Sequence, residues 1–110
     1  MKYDITLIQK AVSEAITHAQ QFASTDDGGT CNFDACYIRV PGMHESAAEK
    51  IGGVSLFTSG WHGRTLHLHG TLGQGSRRTT MAEAQNKFLK ANYPQLEVGM
   101  YYQMDSGRAS

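Results

Sequence analysis

The chain has 110 residues, equal numbers of acidic and basic side chains, and an apolar content of 40%. That length holds one domain with a modest core, and zero net charge removes the basic face with which a nonspecific nucleic-acid binder displaces counterions. No apolar run approaches a membrane span, and Met1 to Lys10 is amphipathic and carries Asp4, unlike a signal peptide, so a cytoplasmic protein with no membrane and no nucleic-acid polymer as partner is expected.

Residues 5–22 place Ile5, Ile8, Val12, Ile16, Ala19 and Phe22 at steps of three and four, the apolar stripe of a helix. Thr6 with Gln9 fits a capping box at its start. Asp26-Asp27-Gly28-Gly29 is turn chemistry, which ends the helix by Ser24. From Ala35 to Val40 the pattern alternates, with Cys36, Ile38 and Val40 on one face and Ala35, Tyr37 and Arg39 on the other. Pro41-Gly42 closes this strand, and residues 44–51 suit a short helix stopped by Gly52-Gly53.

Val54 to Thr58 reads as a second strand, and Ser59 to Gly63 as a hairpin connection. Arg64 to His69 is a third, with Leu66 and Leu68 inward and Thr65, His67 and His69 outward. A second long helix runs from about Thr80 to Asn92, with Ala84, Phe88 and Ala91 along one side and Pro94 past its end. Glu97 to Asp105 is a fourth strand; Val98, Met100, Tyr102 and Met104 share one face, Tyr101, Gln103 and Asp105 the other. The expected architecture is a single α+β domain over residues 1–105 with a flexible tail, 106–110. It has about four mainly antiparallel strands and two long helices on one face.

The strongest chemical signal is Gly73-Gln74-Gly75-Ser76-Arg77-Arg78-Thr79-Thr80. Its glycines free the backbone, and Thr80 with Glu83 fits a capping box. A helix N-terminus presents amide N–H groups and partial positive charge, and arginines add forked donors suited to phosphate. Gln74, Gly75, Ser76, Arg77, Arg78 and Thr79 are therefore candidate contacts for an anionic ligand. The spacing is neither the P-loop nor the dinucleotide fingerprint, and the same residues also fit an ordinary turn with solvated arginines.

The sheet face away from the helices is the second candidate. Tyr37, Arg39, His67 and His69, with Thr65, Tyr101 and Gln103 beside them, could stack a base and pair with phosphate. The alternative is a plain polar outer face. His67 and His69, with His62 near, could also meet a metal, although no acidic residue in that segment could serve as base. Cys36 lies in an apolar strand and Cys31 has no evident base, so neither is expected to be catalytic. With sparse carboxylates and no nucleophile elbow, no catalytic residue, metal or cofactor is expected.

Two segments, Gly29-Thr30-Cys31-Asn32-Phe33-Asp34 and Tyr101-Tyr102-Gln103-Met104-Asp105, resemble small proteins carried by phages and prophages. Within that group the chain resembles the Thoeris anti-defence sponge of the first type. The resemblance implies binding of cyclic ADP-ribose isomers made as bacterial immune signals, and in some members cyclic oligonucleotides. It implies sequestration without cleavage, and it assigns no contact residue here. A domain this small offers limited concave surface, so a homo-oligomer with ligand at its subunit boundaries is expected. Two alternatives stay open: an inhibitor that binds a host defence protein directly, of anti-CRISPR type, and a small metal-dependent enzyme.

Overall fold

The computed structural model describes residues 3–22, 34–59, 63–70 and 76–102. The first helix, α1, spans Ile5–Ala19 and continues into a 3-10 turn at Gln20–Phe22. Its cap is Asp4, whose carboxylate accepts from the Leu7 amide at 3.0 Å. A carboxylate at this position satisfies an orphan amide and suits the positive helix end. It displaces the expected Thr6–Gln9 box, and Gln9 instead donates to the Lys50 carbonyl at 3.0 Å. Ile8, Ala11, Val12, Ala15 and Ala19 form the buried stripe, whereas Phe22 is largely exposed.

The strands are β1 (Ala35–Arg39), β2 (Val54–Ser59), β3 (Gly63–Leu68) and β4 (Val98–Tyr101). A short helix, α2 (Glu45–Ile51), joins β1 to β2, and α3 (Ser76–Asn92) joins β3 to β4. They form one sheet in the order β2-β3-β1-β4, with every neighbouring pair antiparallel. It follows that β1 and β2 run parallel with β3 between them, and that β3 and β4 run parallel with β1 between them. Two interleaved β-α-β units of this kind make the β-α-β-β-α-β, or ferredoxin-like, arrangement. Here α1 precedes it and packs against both α2 and α3. The domain is thus α+β, with its helices over one side of an antiparallel sheet.

Cys36, Ile38 and Val40 of the β1 segment and Leu66 and Leu68 of β3 are buried against Ile8, Val12 and Leu89. Close approach is enforced at Gly70. It has φ +90°, and a Cβ there would come within 2.7 Å of Ile16. Only glycine tolerates both conditions.

Helix α3 departs most from expectation. It begins at Ser76, so Thr80 and Glu83 lie within the helix and form no capping box. Glu83 accepts from the Tyr102 hydroxyl at 2.7 Å instead. Its buried side is Met81, Ala82, Ala84, Gln85, Asn86 and Leu89, with Phe88 half-buried and Ala91 exposed. Gln85 is 0% exposed and donates to the His69 carbonyl at 2.9 Å. The apolar pattern alone placed Ala84 and Phe88 on this side but could not show its two buried amides. Strand β4 is shorter than expected; Gln103, Met104, Asp105 and the tail lie outside the described residues. No described helix is long and apolar enough to cross a membrane.

Candidate ligand-binding site

The sheet face away from the helices carries one ring from each strand. Cross-strand partners share a face, and the register sets Tyr37 opposite His67 and Gly99, Ser55 opposite His67, and Ala35 opposite Tyr101. Phe57 on β2 pairs with Thr65. His67 sits at the centre, with ring centroids 4.5 Å from Phe57, 6.0 Å from Tyr37 and 5.8 Å from Tyr101. Tyr37 and His67 are stacked at 25°. Burial holds the His67 pKa below its ordinary value, which favours the neutral ring. Phe57 and Tyr101 remain 50% and 40% exposed, so this is an aromatic surface rather than a sealed core.

Gly99 makes room for it. A Cβ at that position would lie 2.6 Å from the Tyr37 hydroxyl oxygen and 2.7 Å from the ring carbon bearing it. The Tyr37 ring therefore extends over the bare backbone of β4. The rings floor a hollow of about 630 Å³, also lined by Ser55, Thr65, His69 and Arg78, a size within the usual range of small-molecule sites.

Arg78 reaches this hollow from the first turn of α3. Its Nε donates to the Asp34 carbonyl at 3.1 Å. Thr79 Oγ1 donates to Asp34 Oδ2 at 2.6 Å, and Asp34 is buried. The protein's own carboxylate thus occupies part of the positive end of α3, and Thr79 is directed to it. Ser76 and Arg77 begin α3, but their side chains, with Gln74 and Gly75, lie outside the described residues. His69 follows β3, and its Nε2 is 2.6 Å from Ser55 Oγ. Arg39 stands two residues beyond Tyr37 on β1 and pairs with Glu97 at 3.2 Å. It lines a second hollow of about 330 Å³ together with Lys90 and Glu97, and Tyr37 lines both hollows.

Tyr37, His67, His69 and Arg78 are thus gathered around one hollow, with Arg39 in the next. Phe57 and Ser55 are the residues that the sequence reading missed. The signal was present, because strict alternation through Val54-Ser55-Leu56-Phe57 places them opposite the inward Leu56.

The reactive side chains are few. Burial pushes the Cys36 thiol up to about 12, so it packs as an apolar group; Cys31 lies outside the described residues. Among the described residues no three His, Cys, Asp or Glu side chains converge on a metal position, and His62 lies outside them. Ser55 and His69 have nucleophile–base contact, but no hydrogen bond from the His69 ring to a carboxylate is found among the described residues. No family model, curated protein or solved structure matches the chain. A ferredoxin-like topology hosts many functions, so function follows from the chemistry of the site and not from the fold.

Proposed function

We propose that this chain is a non-catalytic binding protein that captures a phosphate-bearing nucleotide on the open face of its sheet. The observation that carries the reading is the half-exposed cluster of Phe57, His67, Tyr37 and Tyr101 with Arg78 at its edge. Aromatic faces stack nucleobases at about 1–3 kcal/mol per base, and a guanidinium supplies forked donors to phosphate. The neutral His67 ring adds a stacking surface without a buried charge.

The resemblance to Thoeris anti-defence sponges supplies the setting. The ligand class is then a cyclic ADP-ribose isomer or a cyclic oligonucleotide used as an immune signal. Binding in the host cytoplasm withdraws it and blocks anti-phage defence. A second copy of the chain would cover the hollow, which is open on the protein surface, giving a homo-oligomer.

Native mass spectrometry after incubation with cyclic nucleotides and ADP-ribose derivatives tests this reading. Retained ligand is expected to come off chemically unchanged on heat denaturation, and light scattering is expected to show more than one copy. Retention of none of the panel would favour the direct inhibitor of a host protein. A hydrolytic reading has one observation in its favour, the Ser55–His69 contact at 2.6 Å. Product in excess of one equivalent, lost in Ser55→Ala, would transfer the function to that pair.

A further inference from the structure

Among the described residues the sheet has two edges, β2 and β4, and they differ. β4 is four residues long, contains Gly99 and follows Glu97, which is held in the ion pair with Arg39. Short length and charge are ordinary devices that keep a sheet edge from pairing with another strand. β2 has neither. Its six residues, Val54-Ser55-Leu56-Phe57-Thr58-Ser59, carry no charge and no proline.

The His69 amide donates to the Gly53 carbonyl at 2.9 Å, in register with the β2–β3 ladder. In an antiparallel ladder, residues that bond the neighbouring strand alternate with residues that do not. Ser55 and Phe57 therefore bond to β3, and the amides and carbonyls of Val54, Leu56 and Thr58 point to the open side. Leu56 is only half-buried, although it lies on the inner face opposite Leu66, which is 0% exposed. An apolar side chain is thus left partly uncovered at this edge.

We propose that β2 pairs antiparallel with β2 of a second copy, about a two-fold axis through Leu56. This register is self-complementary. Val54 meets the partner's Thr58, Leu56 meets the partner's Leu56, and Thr58 meets the partner's Val54, so all three outward residues are bonded. The two Leu56 side chains cover each other on the inner face. On the outer face Ser55 comes opposite the partner's Phe57, with Cα atoms about 4.5 Å apart. The partner thus adds a ring beside the hollow lined by Ser55, Phe57 and His69. The inference rests on the homo-oligomer of the reading above and names its surface, and it requires no ligand.

Light scattering and NMR amide exchange on the full chain test the pairing. The native protein is expected to be a dimer at micromolar concentration, with slow exchange at Val54, Leu56 and Thr58. Fast exchange at Val54 or Thr58 would overturn the axis through Leu56. Leu56→Pro removes an amide that bonds nothing within its own copy, a position where an edge strand admits proline. A folded monomer is expected. Thr58→Lys keeps every amide and sets a charge opposite the partner's Val54 at both ends of the pairing. The dimer dissociation constant should rise at least about tenfold. If Leu56→Pro does not fold, an unchanged dimer in Thr58→Lys overturns the proposal. A folded Leu56→Pro that stays dimeric overturns this edge and leaves the oligomer itself standing. A monomeric native protein overturns both.

Discussion

The two faces of this sheet share a backbone and a register, yet they answer to different constraints. Leu66 and His67 are adjacent on β3. Leu66 is 0% exposed beneath the helices, while His67 looks out among Phe57, Tyr37 and Tyr101. The inner face is apolar because burial of its side chains holds the domain together. The outer face keeps large rings where solvent reaches them, a cost to solubility with no return in core packing. Exposed rings of this kind are what the proposed binding role rests on, and they add little to core packing.

The largest expected contrast comes from truncating one residue on each face. Leu66→Ala removes a central core side chain and is expected to cost about 2–5 kcal/mol in urea unfolding. Phe57→Ala is expected to change stability by less than about 1 kcal/mol while weakening nucleotide binding by about 1–3 kcal/mol in calorimetry. Equal stability losses would erase the distinction between the faces.

Arg78 tests the polar edge of the outer face. Its replacement by Ala removes a charged partner, so ligand affinity is expected to fall by about 1.5–3 kcal/mol. Stability should change less, since the bond lost among the described residues is the one to the Asp34 carbonyl. Unaltered affinity would detach α3 from the site.

Gly99 sharpens the comparison because it shapes the outer face by leaving room for the Tyr37 ring. Gly99→Ala places a methyl group 2.6 Å from the Tyr37 oxygen, which must move the ring off its stack with His67. Affinity is expected to drop by about 1 kcal/mol, the scale of one aromatic contact. In the Tyr37→Ala background the same change should have almost no effect, a coupling that a double-mutant cycle measures. Additive losses would show that Gly99 acts on the fold instead.

The smallest effect is a pH dependence centred on His67. Its folded pKa lies below the ordinary value of 6.5 because burial disfavours the charged ring. Between the folded pKa and 6.5 the unfolded chain binds more protons, so stability rises with pH there. The contribution is complete above 6.5 and is lost as pH falls towards the folded pKa. Melting temperatures from pH 7 to pH 5 should therefore decline more in the native protein than in His67→Phe. Parallel curves would mean that His67 titrates alike in both states.

Patterning made α1, the inward residues of β1 and β3, and the α+β class legible, because apolar periodicity reports which side of an element avoids water. The same alternation sent Tyr37, His67 and Tyr101 outward together. It did not reveal that α3 buries Gln85 and Asn86, since amides carry no apolar signal and are buried only where neighbours come close. Nor did local sequence foresee Asp34 turning to Thr79, 45 residues later. The choice between a solvated loop and a helix start at Ser76 depends on such partners.

By itself, then, the sequence determined the run of helices and strands, the inward faces of α1, β1 and β3, and the outward Tyr37, His67 and Tyr101, because these follow from local periodicity and side-chain type. Only the tertiary structure decided the strand order. By interleaving two β-α-β units, it brought β1 and β3 to the centre and set Tyr37 against His67. It also placed Gly99 beneath the Tyr37 ring and Arg78 at the rim. Those juxtapositions join residues far apart in the chain, and they are fixed by how helices and strands pack on a shared core rather than by any local preference.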